Sequence, residues 1–183
     1  MGKYVYVDNS NVFIEGMRVS AVQEGRASNV WDATKRGILD ELYRIDFGKL
    51  HNILADGNPS NIFKAVLFGS RPPANDSLWK MAEKAGFKTT IEERNVAGQE
   101  KRVDTGIVTA IMADAYTIIK KGDDEIILVA GDGDHVPTVE HLTKNGHHID
   151  VFFWDHASVD LKKACRMFKP LDPHLKSIQF DKI

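Results

Sequence analysis

The chain lacks the features that mark secreted, membrane-spanning and disulfide-bonded proteins. Its 183 residues contain one cysteine, Cys165, so no disulfide can form within the chain and a reducing compartment is expected. No apolar run approaches the roughly 18 residues that a membrane span requires. The segment Met1–Tyr4 leads into a predicted strand without the apolar core of a signal peptide. We therefore expect a cytoplasmic protein with no membrane contact.

An excess of charge of either sign is also missing. The 24 lysine and arginine residues nearly balance the 26 aspartate and glutamate residues, and the net charge is −2. This balance excludes a chain that binds nucleic acid through its overall charge, but not one with a local basic surface. A hydrophobic content of 43% is ordinary for a globular protein, and the length suits one domain.

Buried strands alternate with helical patterns along most of the chain. The apolar runs are mostly continuous, which is typical of parallel strands covered on both faces. Five strands are predicted, at Tyr4–Val7, Ala65–Phe68, Lys88–Ile91, Ile126–Ala130 and Ile149–Trp154. Helices are predicted at Trp31–Leu54, Asp76–Ala85, Asp104–Lys120, Val136–Lys144 and Ser158–Phe168. This order predicts an α/β fold, a three-layer doubly wound domain with a central, mostly parallel five-stranded sheet.

Breaks in the pattern divide these elements. Gly86, Gly122 and Gly146 each follow a predicted helix, where a left-handed cap is expected. Loops are predicted at Ser20–Asn29, Ala55–Asn61 and Glu93–Glu100. We expect residues 1–170 to form the domain. Residues 171–183 show no clear periodicity and are treated as a C-terminal extension.

Three short acidic motifs are the most informative feature of the chain. They lie at Val5–Asn11, Arg102–Gly106 and Val129–His135, two after predicted strands and one at the start of a predicted helix. Ligands of open α/β sheets bind beyond the carboxyl ends of the strands, and two of the motifs fall there. The four candidate carboxylates are Asp8, Asp104, Asp132 and Asp134. Carboxylates that converge repel one another unless a cation lies between them, and hard oxygen ligands suit Mg²⁺ or Mn²⁺. The pattern predicts a metal-dependent enzyme that acts on phosphate esters.

Each strand-end carboxylate has a structural alternative. Asp8 is either a metal ligand or the cap of the next helix, but Ser10 and Asn11 are also capping residues, which would leave Asp8 for chemistry. Asp134 is a natural cap for a helix with Pro137 in its first turn, so we rank Asp132 above it as a ligand and allow Asp134 both roles.

Helical spacing distinguishes two acids of the third predicted helix. Asp104 begins a stripe that continues through Val108, Ile111, Ala115 and Ile118. It is therefore expected on the core-facing side of the first turn. Asp114 lies ten residues further, roughly 15 Å along the axis, and is interpreted as structural.

Five histidines in the last third of the chain invite a zinc interpretation: His135, His141, His147, His148 and His156. Their spacing matches no zinc motif and thiolate partners are missing, so we expect scattered surface histidines.

The motifs together resemble the NYN domain family, a branch of the PIN-like nuclease group. The residues that carry the resemblance are Asp8–Asn11, Arg102–Asp104, Gly131–Asp134 with Pro137, and Ala157–Leu161 with Phe168. The similarity spans Lys3 to Phe168, with the motifs in the family's order. Two positions depart from the family's pattern: His135 replaces an aromatic residue, usually Phe, and Arg166 replaces a frequent acid in the family's final helix. Arg166 is expected to lie far from the chemistry.

The resemblance implies a PIN-like, Rossmann-like fold and metal-dependent cleavage of RNA, here expected to be single-stranded, although some members only bind it. One or two Mg²⁺ or Mn²⁺ ions would hold the scissile phosphate and activate a water molecule. Asp8, Asp104 and Asp132 would bind metal, and Asp134 directly or through water. The predicted substrate-binding residues are Asn11, Ser70, Arg71, Lys101 and Arg102.

Two other functions remain open. A haloacid-dehalogenase-type phosphatase would use Asp8, Ser70, Lys101 and Gly131–Gly133, but its general acid lies two residues after the nucleophile, where this chain has Ser10. A non-catalytic RNA-binding or assembly module would need a basic rim but not the four acids. Whether the chain forms a homo-oligomer is also open.

Overall fold

A single parallel sheet organises the protein, which is represented here by a computed structural model that describes residues 1–70, 77–92 and 103–181. Its strands are β1 (Lys3–Asp8), β2 (Ile62–Ser70), β3 (Lys88–Glu92), β4 (Glu125–Val129), β5 (His148–Phe153) and β6 (Met167–Pro170). All five pairings are parallel, in the order β3-β2-β1-β4-β5-β6. This is the strand order of a doubly wound α/β domain, in which the chain reverses direction across the sheet between β1 and β4. The predicted fold class is confirmed.

The count of five strands is wrong, because β6 forms a sixth strand at one edge. The sequence predicts a last helix through Phe168, but that helix ends at Ala164. Residues Met167–Pro170 then pair with β5. Arg166 therefore precedes a strand instead of lying in a helix. A four-residue edge strand has too little apolar alternation to be separated from a preceding helix by periodicity.

Seven α-helices are present in the described ranges. They are α1 (Asn9–Gln23), α2 (Val30–Arg36), α3 (Phe47–Leu54), α4 (Ser77–Lys84), α5 (Val103–Ala115), α6 (Val136–Lys144) and α7 (Val159–Ala164). Short 3-10 turns occur at Pro59–Asn61, Gly133–His135 and Asp172–His174. The predicted caps Gly86 and Gly146 are confirmed, since they follow α4 and α6 with φ values of 101° and 82°. Gly122 is left-handed, with a φ of 81°, but it does not cap α5, because that helix ends at Ala115 and not at the predicted Lys120.

Two helix predictions near the amino terminus are wrong. The long helix predicted at Trp31–Leu54 is two helices, because Gly37 adopts a left-handed conformation after α2 and Asp46 caps the start of α3. The sequence patterns also miss α1, which overlaps the predicted loop at Ser20–Asn29. The buried face of α1 includes polar and small residues such as Asn9, Gly16 and Ser20, so its apolar periodicity is weak.

The sheet is buried on both faces. Along β1, Val5 and Val7 pack into the core beneath α1, α3 and α4, whereas Tyr4 and Tyr6 pack on the opposite face beneath α5 and α6. Side chains alternate between the two faces of a strand, so Asp8 continues the Tyr4–Tyr6 side, the side covered by α5. The three-layer arrangement thus places the last residue of β1 beside the first turn of α5.

No helix in the described part of the chain is long and apolar enough to cross a membrane.

The segment after residue 170 packs against the domain. Leu171, Leu175 and Ile178 are buried. The backbone N–H of Asp46 donates to the carbonyl oxygen of Ile178 at 2.8 Å, and the Tyr43 hydroxyl donates to the carbonyl oxygen of Leu175 at 3.3 Å. The domain boundary at residue 170 stays a prediction.

Candidate metal-binding cleft

A polar cleft of about 320 Å³ lies at the carboxyl ends of β1 and β4. In the described part of the chain it is lined by Asp8, Ser10, Asn11, Ile14, Glu15, Arg18, Val103, Asp104 and Asp132. Three of the four predicted metal-binding carboxylates therefore face one space. The cleft lies at the reversal point of the sheet, where doubly wound domains bind their ligands.

Asp8 ends β1 and is buried. The prediction that Ser10 or Asn11 would replace it as a cap is wrong: Asp8 caps α1, with Oδ1 accepting the backbone N–H of Asn11 at 3.0 Å. A carboxylate has two oxygens with about four acceptor positions, so capping is compatible with metal binding. The positive end of the α1 dipole also favours the ionised form of this buried acid.

Asp104 lies in the first turn of α5 and its side chain is 44% exposed. The predicted stripe is confirmed at Ile111 and Ala115, which are buried. At the start of the helix the buried face is shifted by one residue, to Val103 and Ile107, and Ile118 lies beyond the helix and is exposed. Asp104 lies beside this face instead of on it. The shift turns its carboxylate toward the cleft while its neighbour Val103 anchors the helix in the core.

Asp132 makes the capping bond that was predicted for Asp134, and it also lines the cleft. Asp132, not Asp134, is the cap: its Oδ1 accepts the backbone N–H of Asp134 at 3.1 Å. The residue at the cap position of α6 is His135, which makes no side-chain capping bond. Asp134 is exposed and is not among the residues that line the cleft. A ligand role for Asp134 stays a prediction, and its position is compatible with contact through water.

Close packing fixes the turn that carries Asp132. A side chain at Gly131 would place its Cβ 2.1 Å from the ring of Phe153 on β5, so only glycine fits here. The backbone N–H of Gly131 donates to the side-chain oxygen of Asn11 at 2.9 Å. Asn11 thus joins the start of α1 to the loop after β4, and it also lines the cleft.

His135 is the main residue that sequence reasoning missed. Its side chain is only 1% exposed, so the expectation of a surface histidine is wrong here, as it is for the buried His147. One ligand atom each from Asp8, Asp104 and His135 lie within 4.8 Å of one another. Nε2 of His135 is 3.9 Å from Oδ1 of Asp104 and has no hydrogen-bond partner in the described structure.

Burial keeps this imidazole neutral. It lowers the pKa of His135 below its ordinary value, although the negative charges of Asp104, Asp132 and Asp134 act in the opposite direction. The contact with Asp104 is therefore not an ion pair, and at 3.9 Å it is too long for a hydrogen bond. A neutral imidazole binds metal ions through the lone pair of its unprotonated ring nitrogen.

The far wall of the cleft is formed by α1. Arg18 pairs with Glu15, whose other carboxylate oxygen lies 2.7 Å from Nε2 of His156. The His156 ring meets the edge of Trp31 at a centroid distance of 6.4 Å, and Trp31 is 70% exposed. Glu15 and Arg18 follow the predicted Asn11 at helical spacing, so these two residues would have been found by sequence if α1 had been predicted.

The described lining carries more negative than positive charge. It contains Asp8, Glu15, Asp104 and Asp132, but its only basic side chain among the described residues is Arg18. Asp8 and Asp104 take part in further interactions, yet the cluster with His135 keeps its ligand atoms close together. Clustered oxygen donors with a neighbouring imidazole form a donor set that suits a divalent cation.

The structure describes two of the five predicted substrate-binding residues, Asn11 and Ser70. Ser70 ends β2 at the same edge of the sheet and is buried. Arg71, Lys101 and Arg102 lie outside the described residues, so their substrate-binding roles stay predictions.

Two other regions are separate from this chemistry. Asp114 is bound by the Tyr6 hydroxyl and by Nζ of Lys64, each at 2.5 Å, which agrees with its structural interpretation. A larger groove of about 540 Å³ lies over β2 and β3 beside α5, but its described lining contains no carboxylate. The acids therefore identify the smaller cleft as the functional candidate.

Comparisons with known proteins agree with this architecture. No curated protein matches the chain. The crystal structure of a protein of unknown function from Vibrio parahaemolyticus is similar, with a TM-score of 0.68 and 16% sequence identity over 98% of this chain and 96% of that one. At this identity the likeness shows the fold alone. The model of the NYN domain matches residues 4–172, nearly the whole chain. The chain therefore belongs to the NYN domain family.

Proposed function

We propose that the protein is a metal-dependent ribonuclease that hydrolyses RNA phosphodiester bonds. The observation that carries the proposal is the convergence of ligand atoms from Asp8, Asp104 and His135 within 4.8 Å of one another. Asp8 and Asp104 line a cleft whose described residues include more acids than bases. Membership of the NYN family, which resembles the PIN-like nucleases, supports the reaction class. Mg²⁺ or Mn²⁺ is the expected cofactor.

The donor set fits such an ion. Asp8 and Asp104 provide carboxylate oxygens, and the buried Nε2 of His135 has no partner in the described ranges, which is costly for a polar atom unless a ligand satisfies it. Asp132 lines the same cleft and would add a carboxylate, with Asp134 acting through water. A bound divalent cation would neutralise charge on the phosphate and lower the pKa of a water molecule that attacks phosphorus.

The remaining residues of the cleft would position the substrate. The first turns of α1 and α5 point their positive dipole ends toward the space that a phosphate would occupy. Arg18 provides a guanidinium held in place by Glu15. The exposed indole of Trp31 offers a surface on which an unpaired base could stack, which favours single-stranded RNA.

The test uses end-labelled single-stranded RNA and DNA of one sequence, each incubated with Mg²⁺, Mn²⁺ or EDTA. We expect RNA fragments only with metal, and none from Asp104→Asn. Fragments in EDTA, or an equally active Asp104→Asn, would contradict the mechanism.

The same reactions separate the two alternative functions. RNA that is bound but never cut would indicate a non-catalytic module. Intact RNA together with a trapped acyl phosphate on Asp8, seen by intact-mass spectrometry, would indicate the phosphatase mechanism.

A further inference from the structure

We propose that Nε2 of His135 is a direct nitrogen ligand of the divalent cation held by Asp8 and Asp104, and that this ligand makes the site prefer Mn²⁺ over Mg²⁺. The inference deepens the proposed function, because it rests on the same cation, but it concerns metal identity and not RNA cleavage. His135 lies in the 3-10 turn Gly133–His135, between the loop after β4 and the start of α6.

The geometry fits shared coordination. Metal–nitrogen and metal–oxygen bonds of about 2.1 Å place two donors on one ion roughly 3–4 Å apart. The separation of 3.9 Å between Nε2 of His135 and Oδ1 of Asp104 falls in this range. The full set spans up to 4.8 Å, which a modest rotation of the half-exposed Asp104 side chain would close.

The burial of His135 points to the same role. A buried polar atom without a hydrogen bond is unfavourable and uncommon in folded proteins, so it calls for an explanation. His147 and His148 also have a buried Nδ1 without a partner in the described structure. The difference is that only His135 belongs to a described cluster of acids close enough to hold one ion.

The chemical consequence concerns metal choice. Mg²⁺ prefers an all-oxygen shell and gives up its water molecules reluctantly, whereas imidazole suits transition-metal ions. Mn²⁺ accepts carboxylate oxygens and also lies in the transition-metal series. A shell of two carboxylates and one imidazole should therefore favour Mn²⁺ over Mg²⁺ more strongly than a shell made of oxygen ligands alone.

The direct test is pulsed electron paramagnetic resonance on Mn²⁺ bound to the full chain, which detects coupling to a directly bound nitrogen. We expect nitrogen coupling in the wild type and in His147→Phe, the matched change of a buried histidine outside the cleft, and none in His135→Phe. Calorimetric titration should show that His135→Phe weakens Mn²⁺ binding about tenfold or more, the size reached even by loss of outer-shell partners, with a smaller effect on Mg²⁺.

Several outcomes would overturn the inference. If Mn²⁺ binds to the wild type without nitrogen coupling, Nε2 of His135 is not a metal ligand. An unchanged ratio of Mn²⁺ to Mg²⁺ affinity in His135→Phe would also overturn the inference. If phenylalanine impairs folding, His135→Gln removes the imidazole while keeping a polar side chain and makes the same prediction. RNA cleavage without nitrogen coupling would refute this inference alone, whereas nitrogen coupling without RNA cleavage would refute only the nuclease proposal.

Discussion

The two ends of the sheet differ in the balance of acidic and basic side chains among the described residues. At the amino ends of the strands, Lys3 contacts Asp56 and Glu125, and Arg166 contacts Glu125 and Asp150. Lys169 adds a second base beside Asp150, at 3.7 Å. We call these six side chains the amino-end network; it contains three acids and three bases.

At the carboxyl ends, the described lining of the cleft has four acids and the single guanidinium of Arg18. The buried Nε2 of His135 lies 3.9 Å from Oδ1 of Asp104. Charges that leave water need partners, and the amino-end network supplies them from within the chain. The described cleft has four acids for one guanidinium, which supports the proposal that a divalent cation binds there. Four predictions test this difference between the two ends of the sheet.

The largest effect is expected from Asp8→Asn. Asparagine caps helices as well as aspartate does, so the change keeps the α1 cap and removes only the charge. We expect metal-dependent RNA cleavage to fall by at least about a hundredfold, the upper range for loss of a metal-site partner, while the melting temperature without metal does not fall. Rate measurements at saturating metal check this.

The matched control is Asp46→Asn, since Asp46 caps α3 in the same way outside the cleft. Asp46→Asn should keep full activity. Equal activity of the two variants would remove Asp8 from the mechanism.

The second effect belongs to the amino-end network. Arg166→Met should destabilise the fold by about 2 kcal/mol, because it leaves the buried carboxylates of Glu125 and Asp150 with fewer partners. The loss is below the full range for buried pairs, since Arg166 is partly exposed and Lys169 remains near Asp150. Denaturant unfolding measures it. Metal binding should not change, and a stability change below about 0.5 kcal/mol would show that this network is not structural.

A smaller effect is expected at Trp31. Trp31→Ala should weaken binding of single-stranded RNA by about 1–2 kcal/mol, or roughly five- to thirtyfold, through loss of base stacking. Binding is measured with Asp104→Asn as background, so that the RNA stays intact. Phe63→Ala is the matched control, because Phe63 is 65% exposed but lies at the amino end of β2. Equal losses of RNA affinity in the two variants would show that neither ring belongs to a specific RNA-binding surface.

The smallest effect tests charge repulsion directly. Without metal and at low salt, Asp104→Asn should stabilise the fold by about 0.5–1 kcal/mol, because it removes one of several like charges in the cleft. Added salt should reduce this gain by screening the repulsion. Thermal unfolding at two salt concentrations measures it. Destabilisation at both would mean that the Asp104 charge is already balanced within the chain.

Much of the fold and part of the site follow from local sequence patterns. Continuous apolar runs predict five strands, and acids placed after strands predict Asp8 and Asp132 at the cleft, because the carboxyl ends of parallel strands meet at one edge. Helix α6 is predicted at its observed bounds, Val136–Lys144. These successes depend only on residues that lie close together along the chain.

The remaining features depend on tertiary contacts. Helix α1 buries polar and small residues against the sheet, for example with Gly16 beneath the ring of Trp154, so its sequence does not show an amphipathic period. Because α1 was not predicted, the positions of Glu15 and Arg18 at the cleft were not predicted either. The burial of His135 follows from packing between α5 and α6, which no spacing rule for histidines predicts.

Calorimetric titration of Mn²⁺ measures directly whether the carboxyl-end cluster of Asp8, Asp104 and His135 binds a divalent cation. We expect one binding site in the wild type, binding at least about tenfold weaker in the double variant Asp8→Asn/Asp104→Asn, and unchanged binding in Asp46→Asn and Arg166→Met. Mn²⁺ affinity that is equal in the wild type and the double variant would contradict the account, as would a wild type that binds no metal.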